Sequence, residues 1–384
     1  MKILQIGVGM IGSIVAKDLA AKYEITVFDG QEENLLRLKK ALPSVKCIHG
    51  SVDDEKLLND LFESHDIVSV ALPGCMAGGV VKMAILKEKN VFDISSIPND
   101  ILLGELKELA DKNNALYVPK IGIAPGMTNF LAGRGASELD EVHDVKIYVG
   151  GIPDKRVSPM DYKTVFCLEE AIQEYLDPSA VVREGQLSYE PALSELHEVI
   201  FEGFNELEAF ITDGLATLPA TIRAKNMTEY TIRWSGHIDQ IKNLIALGLF
   251  EKEKKEVSGT EISPRDYLVS VLTPLWKMDF SKGDRDVTLF RTIVNGKKEG
   301  ERVEYRWELV DHFDEINRIT SMGKCTGSTC STFINAFAKN LIDQKGMLFP
   351  EKLANDDRLY NFVLKELSEK GVCFKETRIS SVEF

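Results

Sequence analysis

Apolar positions in the first third of the chain fall into two alternating patterns. Ile3 to Ile6, Glu24 to Phe28, Val45 to Ile48, Asp66 to Leu72, Val91 to Ile94 and Leu116 to Val118 are short apolar runs, several closed by Gly, Pro or Asp. Such runs mark strands buried on both faces. Between them apolar residues recur at helical spacing, as in Ile14, Val15, Ala16, Leu19 and Ala20. Further helices are expected over Asn34 to Leu42, Asp54 to Phe62, Gly79 to Lys89 and Leu103 to Asn113. Strands alternating with helices of this length predict an α/β fold built on a parallel, doubly wound sheet.

The pattern changes after Gly122-Ile123-Ala124-Pro125-Gly126-Met127-Thr128-Asn129, where Gly and Pro end the sixth strand and a helix begins near Met127. Val145 to Gly151 and Tyr230 to Trp234 read as strands, and Ile238 to Leu249 as an amphipathic helix. Val287 to Val294 and Val303 to Val310, with Asn295-Gly296 between them, predict a long antiparallel hairpin turning at that dipeptide. The charge run Glu251 to Glu256 reads as a solvated helix end. A closing helix is expected over Thr329 to Gln344, capped by Thr326 or Ser328.

Gly7-Val8-Gly9-Met10-Ile11-Gly12 joins the first strand to the first helix. In that context the glycines have distinct tasks: Gly7 permits the tight turn, Gly9 lets the backbone approach a pyrophosphate, and Gly12 lets helix and strand pack closely. The helix start at Met10 and Ile11 then turns backbone N–H groups toward the phosphates. Asp29 lies 17 residues past Gly12, at the end of the second strand. A carboxylate there accepts the ribose hydroxyls and repels a 2′-phosphate, so NAD is expected over NADP. Asp53, after the third strand, either sits beside the adenine or caps the next helix. Leu72 and Pro73 end the fourth strand at the carboxyl edge, where ligands lie in open α/β sheets.

Composition narrows the class. At roughly 150 residues per domain, 384 residues predict two or three domains. Apolar content of 44% and charged content of 28% are those of a globular protein, so disorder is excluded as the dominant state. A formal net charge of −14 argues against a nucleic-acid partner. No apolar run approaches the roughly 18 residues of a membrane helix, and the apolar N-terminus is better explained by its glycine spacing than as a signal peptide. Cys47, Cys75, Cys167, Cys325, Cys330 and Cys373 lack Cys-x-x-Cys spacing and read as reduced thiols of a cytoplasmic protein. No metal site is expected: His197-Glu198 opens like H-E-x-x-H, but Phe201 stands where the second His belongs.

The glycine loop, Gly122 to Asn129, Val149 to Pro153, Thr231 to His237 and Cys325 to Pro350, in this order, resemble the saccharopine dehydrogenase-like family, and most closely its L-lysine 6-dehydrogenase branch. The resemblance covers nearly the whole chain. It implies an N-terminal Rossmann domain (1–123), an inserted α/β (α+β) substrate and dimerisation domain (124–324), a C-terminal helical return to the first domain (325–384), and a homodimer. Two departures separate the branches. Glutamate-forming saccharopine reductases carry Gly-Leu-Asp-Pro-Gly at the boundary loop, and here Ala124 replaces the Asp. They also carry an Arg-Asp-Ser segment that helps hold substrate carboxylates, where this chain has Thr212-Asp213-Gly214. The missing Arg removes a bidentate carboxylate clamp, which favours a substrate with one carboxylate and two amines, such as lysine.

The chemistry implied is oxidation of an amine by NAD, which needs a proton acceptor and a fixed cation for the distant carboxylate. Arg233 is the candidate cation, and a surface strand arginine is the alternative. His237 is the candidate acid/base, since imidazole titrates near neutrality, and a packed or capping histidine is the alternative. Asp93, ending the fifth strand at the ligand edge, is a second proton carrier or amine ligand, unless it only caps a turn. Asp213 is a candidate for an ammonium, unless it only forms an Asp-Gly turn. Ala124, Pro125 and Gly126 would shape the floor beside the nicotinamide. Saccharopine oxidation, reductive condensation to a carboxylated polyamine, and NAD sensing without catalysis remain open alternatives.

Overall fold

The computed structural model describes residues 1–95, 97, 100–164 and 168–381. The chain forms two compact units. One comprises Met1–Asp140, Ala220–Ile222 and Gly323–Phe374, and the other comprises Glu141–Pro219, Arg223–Met322 and the closing strand from Lys375.

The first unit opens with β1 (Lys2–Ile6), α1 (Met10–Ala20), β2 (Glu24–Asp29), α2 (Glu32–Ala41), β3 (Lys46–His49) and α3 (Glu55–Glu63). It continues with β4 (Ile67–Val70), α4 (Gly74–Leu86), β5 (Asn90–Asp93), α5 (Asp100–Lys112), β6 (Leu116–Val118) and α6 (Met127–Ser137). These strands run parallel in the order β6-β5-β4-β1-β2-β3, the doubly wound arrangement that the alternating pattern predicts. Leu4, Ile6, Val68, Val70 and Val91 are fully buried, because parallel strands are covered by helices on both faces. The fourth helix begins at Gly74, five residues ahead of the expected start, because the Pro73 carbonyl accepts the Met76 and Ala77 N–H groups.

The second unit contains β7 (Glu141–Pro153), α7 (Leu168–Gln173), β8 (Ser179–Arg183), β9 (Gln186–Glu190), β10 (His197–Phe201), β11 (Phe204–Ile211) and, after α8 (Leu218–Thr221), β12 (Ala224–Trp234). Then come α9 (His237–Ala246), β13 (Lys255–Val257), β14 (Thr260–Ile262), α10 (Pro264–Trp276), β15 (Asp286–Lys298) and β16 (Glu301–His312). A nine-stranded sheet runs β10-β11-β12-β7-β15-β16, with β8 and β9 attached through β12. β12 and β7 are parallel, and the other pairs are antiparallel. Alternate residues of β12 face opposite sides. Tyr230, Ile232 and Trp234 join one apolar cluster, while Glu229, Thr231 and Arg233 face the other way.

The hairpin is longer than expected and turns elsewhere. Glu299 (φ 54°) and Gly300 (φ 84°) make the bend, with the two positive φ angles that such a tight turn demands. Asn295-Gly296 lies within β15 at a register shift against β7, and a Cβ on Gly296 would strike the Glu141 carbonyl. The charge run does not end a helix: Glu251 to Lys254 form an exposed connection and Lys255-Glu256 enter β13.

The chain closes with α11 (Ser321–Ala338), β17 (Gly346–Met347), α12 (Pro350–Leu353), α13 (Asp357–Glu369) and β18 (Lys375–Ser381). α11 begins eight residues before the expected helix, capped by Asp286, whose carboxylate accepts the Ser321 N–H at 2.8 Å and the Met322 N–H at 3.0 Å. Thr326 and Ser328, the expected caps, lie with Gly327 inside the helix. A Cβ on Gly327 would lie 2.9 Å from Ile14 Cγ2, so the small residue permits close packing on α1. β17 extends the first sheet beside β6, whereas β18 pairs with β16. The expected domain limits shift accordingly. The boundary at 123/124 moves to 140/141, because α6 belongs with the first unit, and the last strand belongs to the second.

Among the described residues no helix is long and apolar enough to cross a membrane. Cys47, Cys75, Cys325, Cys330 and Cys373 form no disulfide, and Cys167 lies outside the described residues.

Candidate active site

In the first unit the glycine loop has the conformation its sequence requires. Gly7 has φ +82°, and a Cβ there would strike the Ala71 carbonyl. A Cβ on Gly12 would strike the Gly7 carbonyl oxygen, so the helix lies directly against the turn. Gly9 has no other atom within 4 Å of its Cβ direction, which leaves room above the loop. α1 starts at Met10 and Ile11 with Gly9 as N-cap and no side-chain cap, presenting the positive end of its dipole to that room. Leu72 packs against Gly7.

Asp29 has the expected place and more partners than expected. Its Oδ2 accepts the Val8 N–H at 2.7 Å, and its Oδ1 accepts the Gln31 N–H at 2.7 Å and the Asn34 amide at 3.3 Å. Asp53 does not cap α3. Asp54 does so, accepting the Leu57 N–H at 3.0 Å, and Asp53 is exposed and takes the Ser51 hydroxyl at 3.1 Å. Ala124-Pro125-Gly126 forms a tight loop in which Gly126 (φ +131°) donates to Asn129 Oδ1 at 3.2 Å and Met127 N–H returns to the Gly122 carbonyl at 2.9 Å.

Asp93 ends β5 fully buried. Burial pushes its carboxyl up to about 6, against hydrogen bonds donated by Ser95 N–H at 2.7 Å and Tyr117 O–H at 3.2 Å and the attraction of Lys120.

In the second unit Arg233 and His237 are brought together by a residue the sequence did not single out, Tyr175. Arg233 Nε donates to the Tyr175 hydroxyl at 3.2 Å, and that hydroxyl lies 3.0 Å from His237 Nε2. His237 Nδ1 lies 2.7 Å from the Met160 carbonyl, which can only accept, so Nδ1 carries the proton and Nε2 accepts from Tyr175. Burial, then the Arg233 charge, pushes the imidazole down to about 3. Arg233 is itself buried. It donates to Glu174 at 2.8 Å and its guanidinium stacks 4.8 Å from the Tyr162 ring centre. Both residues therefore differ from the free cation and free base expected of them: one is neutralised and the other sealed by packing. Asp213 accepts the Ala180 N–H at 3.4 Å. Beside it, Glu229 is buried and takes the Thr212 hydroxyl. Burial pushes Glu229 up to about 8, helped by repulsion from Glu174 and Asp213 and opposed by Thr212 and Arg233.

Glu229, Glu174 and Tyr175 escaped sequence reasoning. A lone Glu in an alternating strand reads as a solvent-facing position, and only the tertiary fold buries that face. Among the described residues no group of three or more His, Cys, Asp or Glu side chains could hold a metal. His197-Glu198 lies on strand β10.

Residues 3–118 match the saccharopine dehydrogenase NADP binding domain, and residues 122–372 match the saccharopine dehydrogenase C-terminal domain. The chain belongs to the saccharopine dehydrogenase family. Among solved structures, apo histidine-tagged saccharopine dehydrogenase (L-Glu forming) from Saccharomyces cerevisiae is similar with a TM-score of 0.83 at 19% identity, over 98% of this chain and 99% of that one. The homospermidine synthase from Legionella pneumophila, in complex with NAD, is similar with a TM-score of 0.67 at 10% identity, over 99% and 91%. At these identities the likeness is one of fold. As a member of this family the protein is an NAD(P)-dependent oxidoreductase that uses a nicotinamide cofactor. The first unit fits that cofactor, because the room over Gly9 and the uncapped start of α1 suit a pyrophosphate.

Proposed function

We propose that this family member oxidises the ε-amine of L-lysine with NAD, releasing ammonia and leaving the semialdehyde, which cyclises with its own α-amine. One observation carries the reading: the charges near residues 212–214 of the second unit suit amines better than additional carboxylates. Thr212, Asp213 and Glu229 supply hydroxyl and carboxylate oxygens, and the strand's guanidinium, Arg233, is already bound to Glu174. A tricarboxylic substrate such as saccharopine would need cations there.

Gly7, Gly9, Met10, Ile11, Gly12, Asp29, Leu72 and Pro73 would hold the dinucleotide, with Asp53 near the adenine and Ala124, Pro125 and Gly126 beside the nicotinamide. Bound there, the nicotinamide supplies the hydride acceptor. The chain must then take a proton from the substrate ammonium. Asp93 suits that task better than His237, because burial pushes its carboxyl up to about 6 while the imidazole is locked to Met160 and Tyr175. NAD is favoured over NADP by the negative charge of Asp29 at the end of β2.

Carboxylated-polyamine formation is the second reading, favoured by the same acidic lining, since a polyamine also presents several ammonium groups. The test is NADH absorbance with L-lysine, saccharopine and polyamine-type substrates. Turnover with lysine and none with saccharopine supports the first reading, and turnover with saccharopine overturns it.

A further inference from the structure

Glu229 lies in the middle of β12 and is 5% exposed. Its Oε2 accepts from Thr212, and among the described residues its Oε1 accepts no hydrogen bond. The Thr212 hydroxyl spends its proton on Glu229, so the Thr231 hydroxyl, 2.8 Å away, donates to Thr212. These links give Glu229 only neutral partners. Two carboxylates, Asp213 and Glu174, act on it with the same sign, and the Arg233 guanidinium that attracts it bonds to Glu174. Room for the carboxylate depends on residue type, because a Cβ on Gly214 would stand 2.5 Å from Glu229 Cδ. Next to Ala180, whose N–H reaches Asp213, the Ser179 hydroxyl is buried with no hydrogen-bond partner among the described residues.

A buried carboxylate facing two others, with neutral donors only, is unfavourable until a cation joins it. Among the described residues too few ligands converge here for a metal ion. An ammonium group, with three donors, matches an open carboxylate oxygen flanked by hydroxyls.

We propose that Glu229, with Thr212 and Thr231 behind it, receives a second ammonium group of the substrate, the one that is not oxidised. This rests on the amine-oxidising reading, and it names what that reading leaves open, the residue that selects a diamine end. At neutral pH the resting carboxyl holds a proton, because burial and the negative charges of Glu174 and Asp213 outweigh the pull of Arg233 and Thr212. Ammonium binding expels that proton, so affinity rises with pH toward about 8.

The experiment compares L-lysine with 6-aminohexanoate, which keeps the oxidisable amine and the carboxylate and lacks the α-ammonium. In Glu229→Gln the preference for lysine, as a ratio of kcat/KM values, should fall about 10- to 100-fold, the loss expected for one charged hydrogen bond. Glu229→Asp should restore part of it. Calorimetric binding of the same two compounds reads the site without turnover, and the pH dependence of lysine binding should vanish in Glu229→Gln. A preference that stays within about twofold of wild type, or equal calorimetric binding of lysine by wild type and Glu229→Gln, overturns the proposal. Wild type that binds lysine through Glu229 and reduces no NAD with it overturns the amine-oxidising reading alone.

Discussion

Asp29 accepts the Val8 backbone N–H at 2.7 Å, tying the end of β2 to the glycine loop that leaves β1. The carboxylate therefore shapes the loop. Removing it exposes two buried or half-buried N–H groups, those of Val8 and Gln31, to loss of their acceptor. Asp29→Ala should lower stability by about 1–3 kcal/mol and weaken NADH binding in the same variant. Thermal melting and fluorescence titration read the two effects. Unchanged melting and unchanged titration would contradict the coupling.

Cofactor preference follows from the same side chain. Wild type should use NAD more efficiently than NADP. Asp29→Ser combined with Gln31→Arg, at the exposed N-cap of α2, replaces a negative charge with a positive one and should narrow or reverse the ratio of kcat/KM values. A wild type that prefers NADP would refute this account of Asp29.

Gly12 leaves far less tolerance than Gly9. A Cβ there strikes backbone, the Gly7 carbonyl, which cannot swing aside as a flexible side chain would. Gly12→Ala should cost about 1–3 kcal/mol and abolish measurable dinucleotide binding, while Gly9→Ala, with open space around it, should leave stability intact and weaken binding only. Equal stability loss in both variants would show that the loop relaxes more than its packing suggests.

Such contrasts explain what could be read from the chain alone. The glycine loop and the six parallel strands are local: each glycine answers a steric demand within a few residues, and each strand carries its own apolar run. Gly327 and Gly296 are different. Both look like turn residues, yet each is needed for close approach to a distant segment, Ile14 in one case and Glu141 in the other. Glu229 was equally unreadable, because its burial depends on which face of β12 the helices of the second unit cover. Arg233 and His237 were marked as the candidate cation and the candidate acid/base, but their shared partner Tyr175 lies 58 residues before the first and 62 before the second.

His237 should behave as a structural group. Its pKa is pushed down to about 3 by burial and the Arg233 charge, below the unfolded value near 6.5. Below about 6.5 the unfolded chain gains a proton that the folded chain refuses, so this residue's contribution to stability is full above that pH and is lost on acidification toward about 3. His237→Gln should lower stability by about 1–3 kcal/mol at neutral pH and flatten part of the acid-side loss. Its kcat/KM profile should keep the wild-type limb near pH 6. Disappearance of that limb would return the base role to His237.

Asp93 should supply that limb. Burial raises its carboxyl to about 6, above the unfolded value near 3.9. The folded chain therefore keeps a proton that the unfolded chain releases, and the residue's contribution to stability is full below about 3.9 and falls as pH rises toward 6. Activity runs the opposite way, because a proton acceptor must be ionised: kcat/KM should drop as pH falls through about 6. Asp93→Asn keeps an acceptor oxygen for Ser95 N–H and turns its amide NH2 to donate to the Tyr117 hydroxyl oxygen, so the strand end should hold its shape while turnover falls about 10²- to 10⁴-fold and the acid limb is lost. Tyr117→Phe removes one hydrogen bond to the ionised carboxylate, which should move the limb to higher pH without abolishing turnover. A limb left in place by Tyr117→Phe, together with near-normal turnover in Asp93→Asn, would rule the residue out as the proton acceptor and leave it a buried strand-end cap.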